Sequence, residues 1–428
     1  MRNALATLTI LLLIVSSSGC SALKDPPENS ASIGTTDSTE VKLTFIANIV
    51  GEQAVVLAAA VEEFSRQTGY EVEFSSPGKS YEELMKTKMF SKKLPDLFTT
   101  HGWSVSRYSK FLTAVNDRPF ADYIAAQIKP YVTGADGEIY VLPIDQDIAG
   151  IVYNIDVLND AGVNVDDICT WDDFSGACDK IKKKGYIPIH IGAMDNWSAG
   201  NLFDWIAPSF YITDERSNRR NELKSGRFDR LIWEELALMI DGWRIDGYFN
   251  EDLLMADYES DVRALAENKA AFCFYSNSAI IDAKTVNSSA QLGVMPVPAK
   301  NADDAPTFII GERIAIGVWN ESPYKKEAFE LLDYLASPEV AGRIVASTGN
   351  PSGLTYVSGN SDFDAYYDKY KDIRVFPYFD REYLPSGMWD WIIDTGIDIL
   401  SGKPNAVSNA GRIMEQNFYD KLSDEVER

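Results

Sequence analysis

From Val41 onward the chain alternates between two hydrophobic periods, and that alternation restricts the fold more than any other feature. Val41, Leu43 and Phe45 stand against Lys42 and Thr44, the two-residue period of a half-buried strand. Ala54, Leu57, Ala58, Val61 and Phe64 then recur at helical spacing. Residues 70–74 predict a second strand, Ser80 and Glu83 a capping box opening the next helix, and 96–100 a third strand. A further strand over 139–144 runs into Asp145. The pattern begins again near Gly150: Thr170 and Asp173 open a helix, and strands are expected over 186–193 and 270–275 with a helix over 231–243 between them. A strand over 314–318 and a helix over 323–335, capped by Ser322, follow. Repeats of this kind build open, mostly parallel sheets wrapped by helices. At 428 residues the chain exceeds the roughly 250–300 at which one core stops growing, so two such sheets are expected.

The first 19 residues read as an export signal. Arg2 supplies a short positive region, 4–15 is an apolar run too short to span a bilayer, and small residues lead to Cys20. The stretch resembles a bacterial lipoprotein signal, which implies a lipid on Cys20 and a place on the extracellular face of the cell membrane. Ser17 stands where such signals usually carry Leu, which keeps plain secretion open. Residues 20–40, with Pro26, Pro27 and a polar remainder, form a flexible tether reaching roughly 25 Å. Forty Lys and Arg against 64 Asp and Glu give a charge of −24, which repels phosphate backbones and anionic headgroups. Nucleic acid is therefore not expected as a partner, and membrane contact is expected through the anchor alone. Cys169, Cys178 and Cys273 show no CxxC or Cys/His spacing, so neither a metal site nor a cofactor is expected.

Gly137, Tyr140 and Pro143, followed by Gly150, Tyr153, Asn154 and Leu158, are similar to a segment of bacterial solute-binding proteins of the maltose-binding type. Pro95 with Asp96 and the runs 170–174, 269–272, 293–296 and 337–339 agree in order. This resemblance implies a periplasmic-binding-protein-like fold: two α/β lobes joined by a hinge, closing over one solute without bond chemistry. It also implies delivery to the permease subunits of an ABC importer, with the receptor acting as a monomer. Carried onto this sequence, the chain crossings fall near 147–153, 293–297 and 335–338. Residues 41–148 and 297–336 then form lobe 1, and 149–296 and 337–428 lobe 2.

Open α/β sheets bind ligands beyond the carboxyl ends of their strands, which yields a candidate set. Asn48 ends the first strand, Trp103 follows the third, Asp145 follows 139–144, Trp197 follows 186–193, and Tyr275 closes 270–275. Glu312 precedes an apolar strand, and the resemblance places its loop at the cleft. Aromatic faces suit the C–H faces of a pyranose, while carboxylates and amides suit its hydroxyls. A hydrogen bond to a charged group contributes about 1.5–3 kcal/mol against about 1 for a neutral pair, so a few carboxylates can dominate sugar affinity. A carbohydrate, and an oligosaccharide in particular, is the expected ligand. Plainer roles compete at several positions. Asp145 can cap a turn, Glu312 can pair with Arg313, and Tyr275 alternates with Cys273 and Ala271 as a core residue would. Trp389 shares a helical stripe with Ile392, Ile393 and Ile397, yet it follows Gly387 in a region where the resemblance implies an aromatic at the ligand. Trp205, beside Ile206, reads as core. Two rival functions stand beside the sugar receptor: a binding protein for another polar solute such as a polyamine, and a secreted glycoside hydrolase using two of Asp145, Asp195 and Glu312. No nucleophile, metal or phosphate-loop motif supports catalysis.

Overall fold

The computed structural model describes residues 41–100, 103–358, 369–370 and 373–426. The expected signal, Cys20 and the tether lie outside the described residues. The strands are β1 (Lys42–Ile46), β2 (Glu71–Ser75), β3 (Leu97–Thr99), β4 (Leu142–Pro143), β5 (Gln146–Ala149) and β6 (Ile151–Asn154). They continue with β7 (Ile187–Ile189), β8 (Ala270–Cys273), β9 (Leu292–Met295), β10 (Phe308–Glu312), β11 (Ala315–Val318) and β12 (Val375–Pro377). They pair into a five-stranded sheet β2-β1-β3-β11-β4, a four-stranded sheet β7-β8-β6-β9, and a small sheet β12-β10-β5.

Each large sheet carries its own core. Phe45, Leu57, Phe98, Ile316 and Leu332 belong to the first, and Tyr153, Phe174, Phe203, Trp233 and Phe272 to the second. On the other face of the four-stranded sheet, Val152, Leu265, Cys273 and Ile280 form a smaller cluster. The sheets are mixed rather than mostly parallel. Strand β1 runs parallel to β2 and β3, but β11 enters antiparallel to β3 and β4, and β6 is antiparallel to β8 and β9. The cause is the way the chain passes between the sheets. Strands β4, β5 and β6 occupy one extended run, and β10 and β11 another, and each run supplies strands to more than one sheet. The two runs pair antiparallel, with Ile309 opposite Ala149 and Gly311 opposite Asp147. Gly150 permits their close approach: a Cβ there would fall 2.4 Å from the Met295 carbonyl oxygen and 2.8 Å from the Phe308 ring.

Local expectations fare unevenly. Thr170 and Asp173 form the capping box of helix Trp171–Lys183. Ser80 caps nothing with its side chain, because the 3-10 turn Gly78–Ser80 runs directly into helix Tyr81–Phe90. The Ser322 hydroxyl donates to Asp96 Oδ1 at 2.6 Å and accepts the Tyr324 N–H at 3.0 Å, just ahead of the helix, which begins at Lys325. The third passage between the cores lies at β12, not near 335–338. Helix Pro338–Thr348 keeps Val340, Ala341, Ile344 and Val345 in the first core, whereas Phe376 in β12 packs against the second, which Phe379 joins. Among the described residues no helix is long and apolar enough to cross a membrane.

Candidate functional site

The ends of β1 and β3 are pinned together by the Asn48 N–H, which donates to Thr99 Oγ1 at 2.7 Å. Just beyond β3, the Trp103 N–H donates to the Thr100 carbonyl at 2.9 Å, and its indole Nε1 to Glu82 Oε2 at 3.0 Å. The half-buried indole rests near the rings of Tyr81 and Phe98, with centroids 6.0 and 6.4 Å away. Facing it, β10 brings Gly311 and Glu312, and the segment after β12 brings Tyr378 and Arg381. These residues and Tyr131 line a cavity of about 40 Å³. The Arg381 guanidinium lies 4.0 Å from the Tyr378 ring centroid and 3.7 Å from Glu312 Oε1. Burial pushes the Glu312 carboxyl up to about 7 despite the Arg381 charge beside it. Gly311 matters because a Cβ there would stand 2.6 Å from the Tyr378 ring.

A second group gathers at the ends of the four-stranded sheet. The Trp197 ring lies 5.5 Å from those of Tyr258 and Tyr275, which meet edge-on at 5.1 Å. The Tyr275 hydroxyl donates to Asp261, which also accepts the Gly192 N–H at 2.9 Å and faces His190 Nδ1 at 2.6 Å. Tyr258 donates to Asp282 Oδ2 at 2.6 Å. Arg313, next to Glu312, donates to Gln53 Oε1 at 3.2 Å. Burial opposes the Arg313 charge, but the carboxylates of Asp147 and Asp145 more than restore it and leave its pKa raised.

A third group of buried charges joins these two. Tyr378 donates to Asp147, Arg107 Nη1 lies 3.1 Å from Asp380 Oδ2, and the Asp380 N–H donates to Asp204 Oδ1 at 2.7 Å. Burial, aided by the Asp380 charge, pushes the Asp204 carboxyl up to about 7. Asp147 Oδ1, Asp204 Oδ2, Asp380 Oδ1 and the Trp205 indole nitrogen are buried without a hydrogen-bond partner. Such atoms suit a ligand that carries both donors and acceptors.

The structure therefore brings Trp103 and Glu312 to one cavity and Trp197 and Tyr275 to one ring cluster. Asn48 sits half-buried at the end of β1. Asp145 belongs elsewhere: fully buried, it accepts the Ile314 N–H at 2.7 Å and the Asn350 amide at 3.1 Å, which ties the two extended runs together. Tyr275 has its hydroxyl committed to Asp261, so its ring backs Trp197. Trp389 is half-buried with one ring edge over Gly200, where a Cβ would come within 2.8 Å, so that edge packs on the second core. Arg107, Arg381, Asp204 and Asp380 were not foreseen, and Arg313, weighed as a partner of Glu312, donates to Gln53. Asp204 left a signal, a carboxylate inside the apolar run 202–207; the arginines left none, because their partners lie far away in sequence. A groove of about 500 Å³ beside Asn196, Trp391, Asp394 and Lys403 shares no lining residue with the Trp103 cavity and lies against helix Met388–Leu400 of the second core.

A family model described as bacterial extracellular solute-binding protein matches residues 49–342. The chain belongs to that family. This solute-binding protein is 30% identical over 427 residues to the melibiose/raffinose/stachyose-binding protein MelE of Bacillus subtilis, covering 98% of this chain and 95% of that one. It resembles the structure of a sugar transporter protein from Bacillus licheniformis in complex with stachyose, with a TM-score of 0.84, 31% identity, and coverage of 89% of this chain and 100% of that one. It also resembles a Bacillus subtilis binding protein in an open conformation, with a TM-score of 0.81, 27% identity, and coverage of 91% and 100%. The two-lobed α/β binding-protein fold is thus the fold of this chain. As a solute-binding protein it is an extracellular receptor rather than an enzyme, which removes the glycoside-hydrolase reading.

Proposed function

We propose that this protein is the lipid-anchored receptor of an ABC importer for an oligosaccharide carrying an α-linked galactose, the unit shared by melibiose, raffinose and stachyose. The carrying observation is near-full-length similarity, about 30%, to MelE and to the stachyose complex. The junction between the cores supports it. Trp103 and Trp197 offer flat rings from the two sides, and Glu312, Arg381 and the unpartnered oxygens of Asp147, Asp204 and Asp380 offer charged hydrogen-bonding groups. A cavity of about 40 Å³ is far below the roughly 300–1,000 Å³ of ligand sites, so the sugar enters when the core-bearing halves part. The halves are the two lobes, and they pivot on β5, β10 and β12, the sheet that both share. Cys20 carries the lipid, residues 21–40 hold the lobes off the membrane, and the permease subunits read the closed form.

Titration calorimetry with stachyose, raffinose and melibiose, against maltotriose and putrescine, tests the reading, with chromatography of the recovered sugar. Saturable binding of intact galactosyl sugars is expected. A preference for maltotriose or putrescine overturns the ligand assignment. Cys20→Ser is expected to move the protein from the membrane fraction into the medium.

A further inference from the structure

The turn after helix Tyr81–Phe90 carries a feature that sugar binding does not use. Phe90 is 94% exposed, the most of any large apolar side chain among the described residues. Around it in sequence stand Lys86, Lys88, Lys92 and Lys93, four cations within eight residues of a chain whose net charge is −24. Lys86 lies 3.9 Å from Asp390, and among the described residues Lys88, Lys92 and Lys93 have no carboxylate partner. The turn is held in place. The N–H groups of Lys92 and Lys93 donate to the Met89 and Lys88 carbonyls at 3.1 and 3.0 Å, and Leu94 is buried in the first core. Met89 packs on that core as well, which leaves Phe90 projecting into solvent.

The topology fixes which edge of the sheet carries this tip. Strand β3 begins at Leu97, just after the turn, and runs parallel to β1 with Leu97 opposite Phe45. The tip therefore lies at the amino-terminal edge of both strands, where the chain enters the sheet at Val41 from the expected tether. Asn48 and Trp103 follow the carboxyl ends of the same strands, so the tip stands at the opposite end of the sheet from the Trp103 cavity. Other charges at that edge are answered locally. Lys42 meets Glu71 and Glu73 at 2.8 and 3.7 Å, Lys326 meets Glu330 at 3.7 Å, and the turn after β11 adds one exposed acid, Glu321, and one exposed base, Lys325.

We propose that this tip is a second membrane contact beside the lipid on Cys20: Phe90 enters the headgroup layer of an anionic phospholipid bilayer, and Lys88, Lys92 and Lys93 meet its phosphates. A ring flanked by lysines suits that interface, because the ring gains by leaving water while the ammonium groups stay among the headgroups. A soluble polyanion would meet the lysines but offer the ring nothing to enter. The net charge of the chain does not forbid the contact. At physiological salt, charges more than about 8 Å away are largely screened, so the bilayer meets the local lysines. Docked in this way, the first lobe stands on its amino-terminal edge with the tether beneath it, and the Trp103 cavity lies away from the lipid. This contact rests on the membrane-anchored part of the proposed function and not on the identity of the solute.

The Cys20→Ser protein, which cannot carry the lipid, isolates the contact. The assay is co-sedimentation with vesicles of phosphatidylglycerol and phosphatidylcholine, against phosphatidylcholine alone, at about 0.15 M salt. Binding to the anionic vesicles only is expected. In that background Phe90→Ser should weaken binding about tenfold and Lys92→Gln about fivefold. Replacing Lys88, Lys92 and Lys93 together by Gln should abolish it. Melting followed by circular dichroism should be the same in every variant, because Phe90, Lys92 and Lys93 are exposed. Equal binding to both kinds of vesicle, binding to neither, or binding unchanged in the variants would overturn the proposal. Capture by inorganic polyphosphate without vesicle binding would overturn it too, in favour of a soluble polyanion. The anchor is tested apart from this by fractionating wild type against Cys20→Ser, so the failure of one is distinguishable from the failure of the other.

Discussion

Glu312→Gln should make the empty protein markedly less sensitive to pH. The folded carboxyl sits at about 7, against an ordinary 4.5, because burial penalises its charge. A carboxylate whose folded pKa is raised destabilises the fold when ionised. That penalty is absent below the unfolded pKa, grows as pH rises, and is complete above the folded value. Between about pH 5.5 and about pH 8 it increases by roughly 2 kcal/mol for this one group. Asp204, at about 7 for the same reason, adds a penalty of similar size and sign. Urea unfolding of the sugar-free protein at both pH values is the assay. Wild type should lose stability as pH rises, and Glu312→Gln should remove roughly 2 kcal/mol of that loss. A wild-type stability that increases over this window, or a variant with an unchanged slope, would refute the placement of Glu312 as a buried carboxylate.

Gly150→Ala drives a methyl into the Met295 carbonyl and the Phe308 ring; about 1–3 kcal/mol of stability should be lost in urea unfolding, and no loss would show that the two runs can separate there freely. Asp145→Ala strips the Ile314 N–H and the Asn350 amide of a buried acceptor, so a loss of about 1–3 kcal/mol is expected while the folded protein keeps its sugar affinity; weakened affinity without destabilisation would return Asp145 to the binding surface. Trp103→Ala should weaken sugar binding roughly tenfold by calorimetry and also lower stability by about 1–2 kcal/mol, since the indole is half-buried; unchanged affinity would remove Trp103 from the sugar site.

Much of the fold was legible because apolar periodicity is local. The alternation at Val41, Leu43 and Phe45 and the helix that follows survive intact, as does the capping box at Thr170. The small sheet β12-β10-β5 was not legible, because strands of three to five residues are fixed by partners 67 to 166 positions away. The third passage was misplaced for a similar reason: Val340, Ala341, Ile344 and Val345 announce an amphipathic helix but not the core it covers. At the site, the strand-end rule singled out Trp103, which the fold sets in the Glu312 cavity, and Trp197, which it sets against Tyr258 and Tyr275. Asp145 shows the limit of that rule. An acidic residue at a strand end can equally anchor a neighbouring N–H, and only tertiary contact separates the two roles. Arg107 and Asp380, separated by 273 residues, pair through folding alone.

A crystal structure of the complex with stachyose measures the central claim most directly. The tetrasaccharide should lie between the two halves, with pyranose faces against Trp103 and Trp197 and hydroxyls on Glu312, Asp204 or Asp380. Stachyose seated instead in the groove beside Trp391, or touching one half alone, would contradict it.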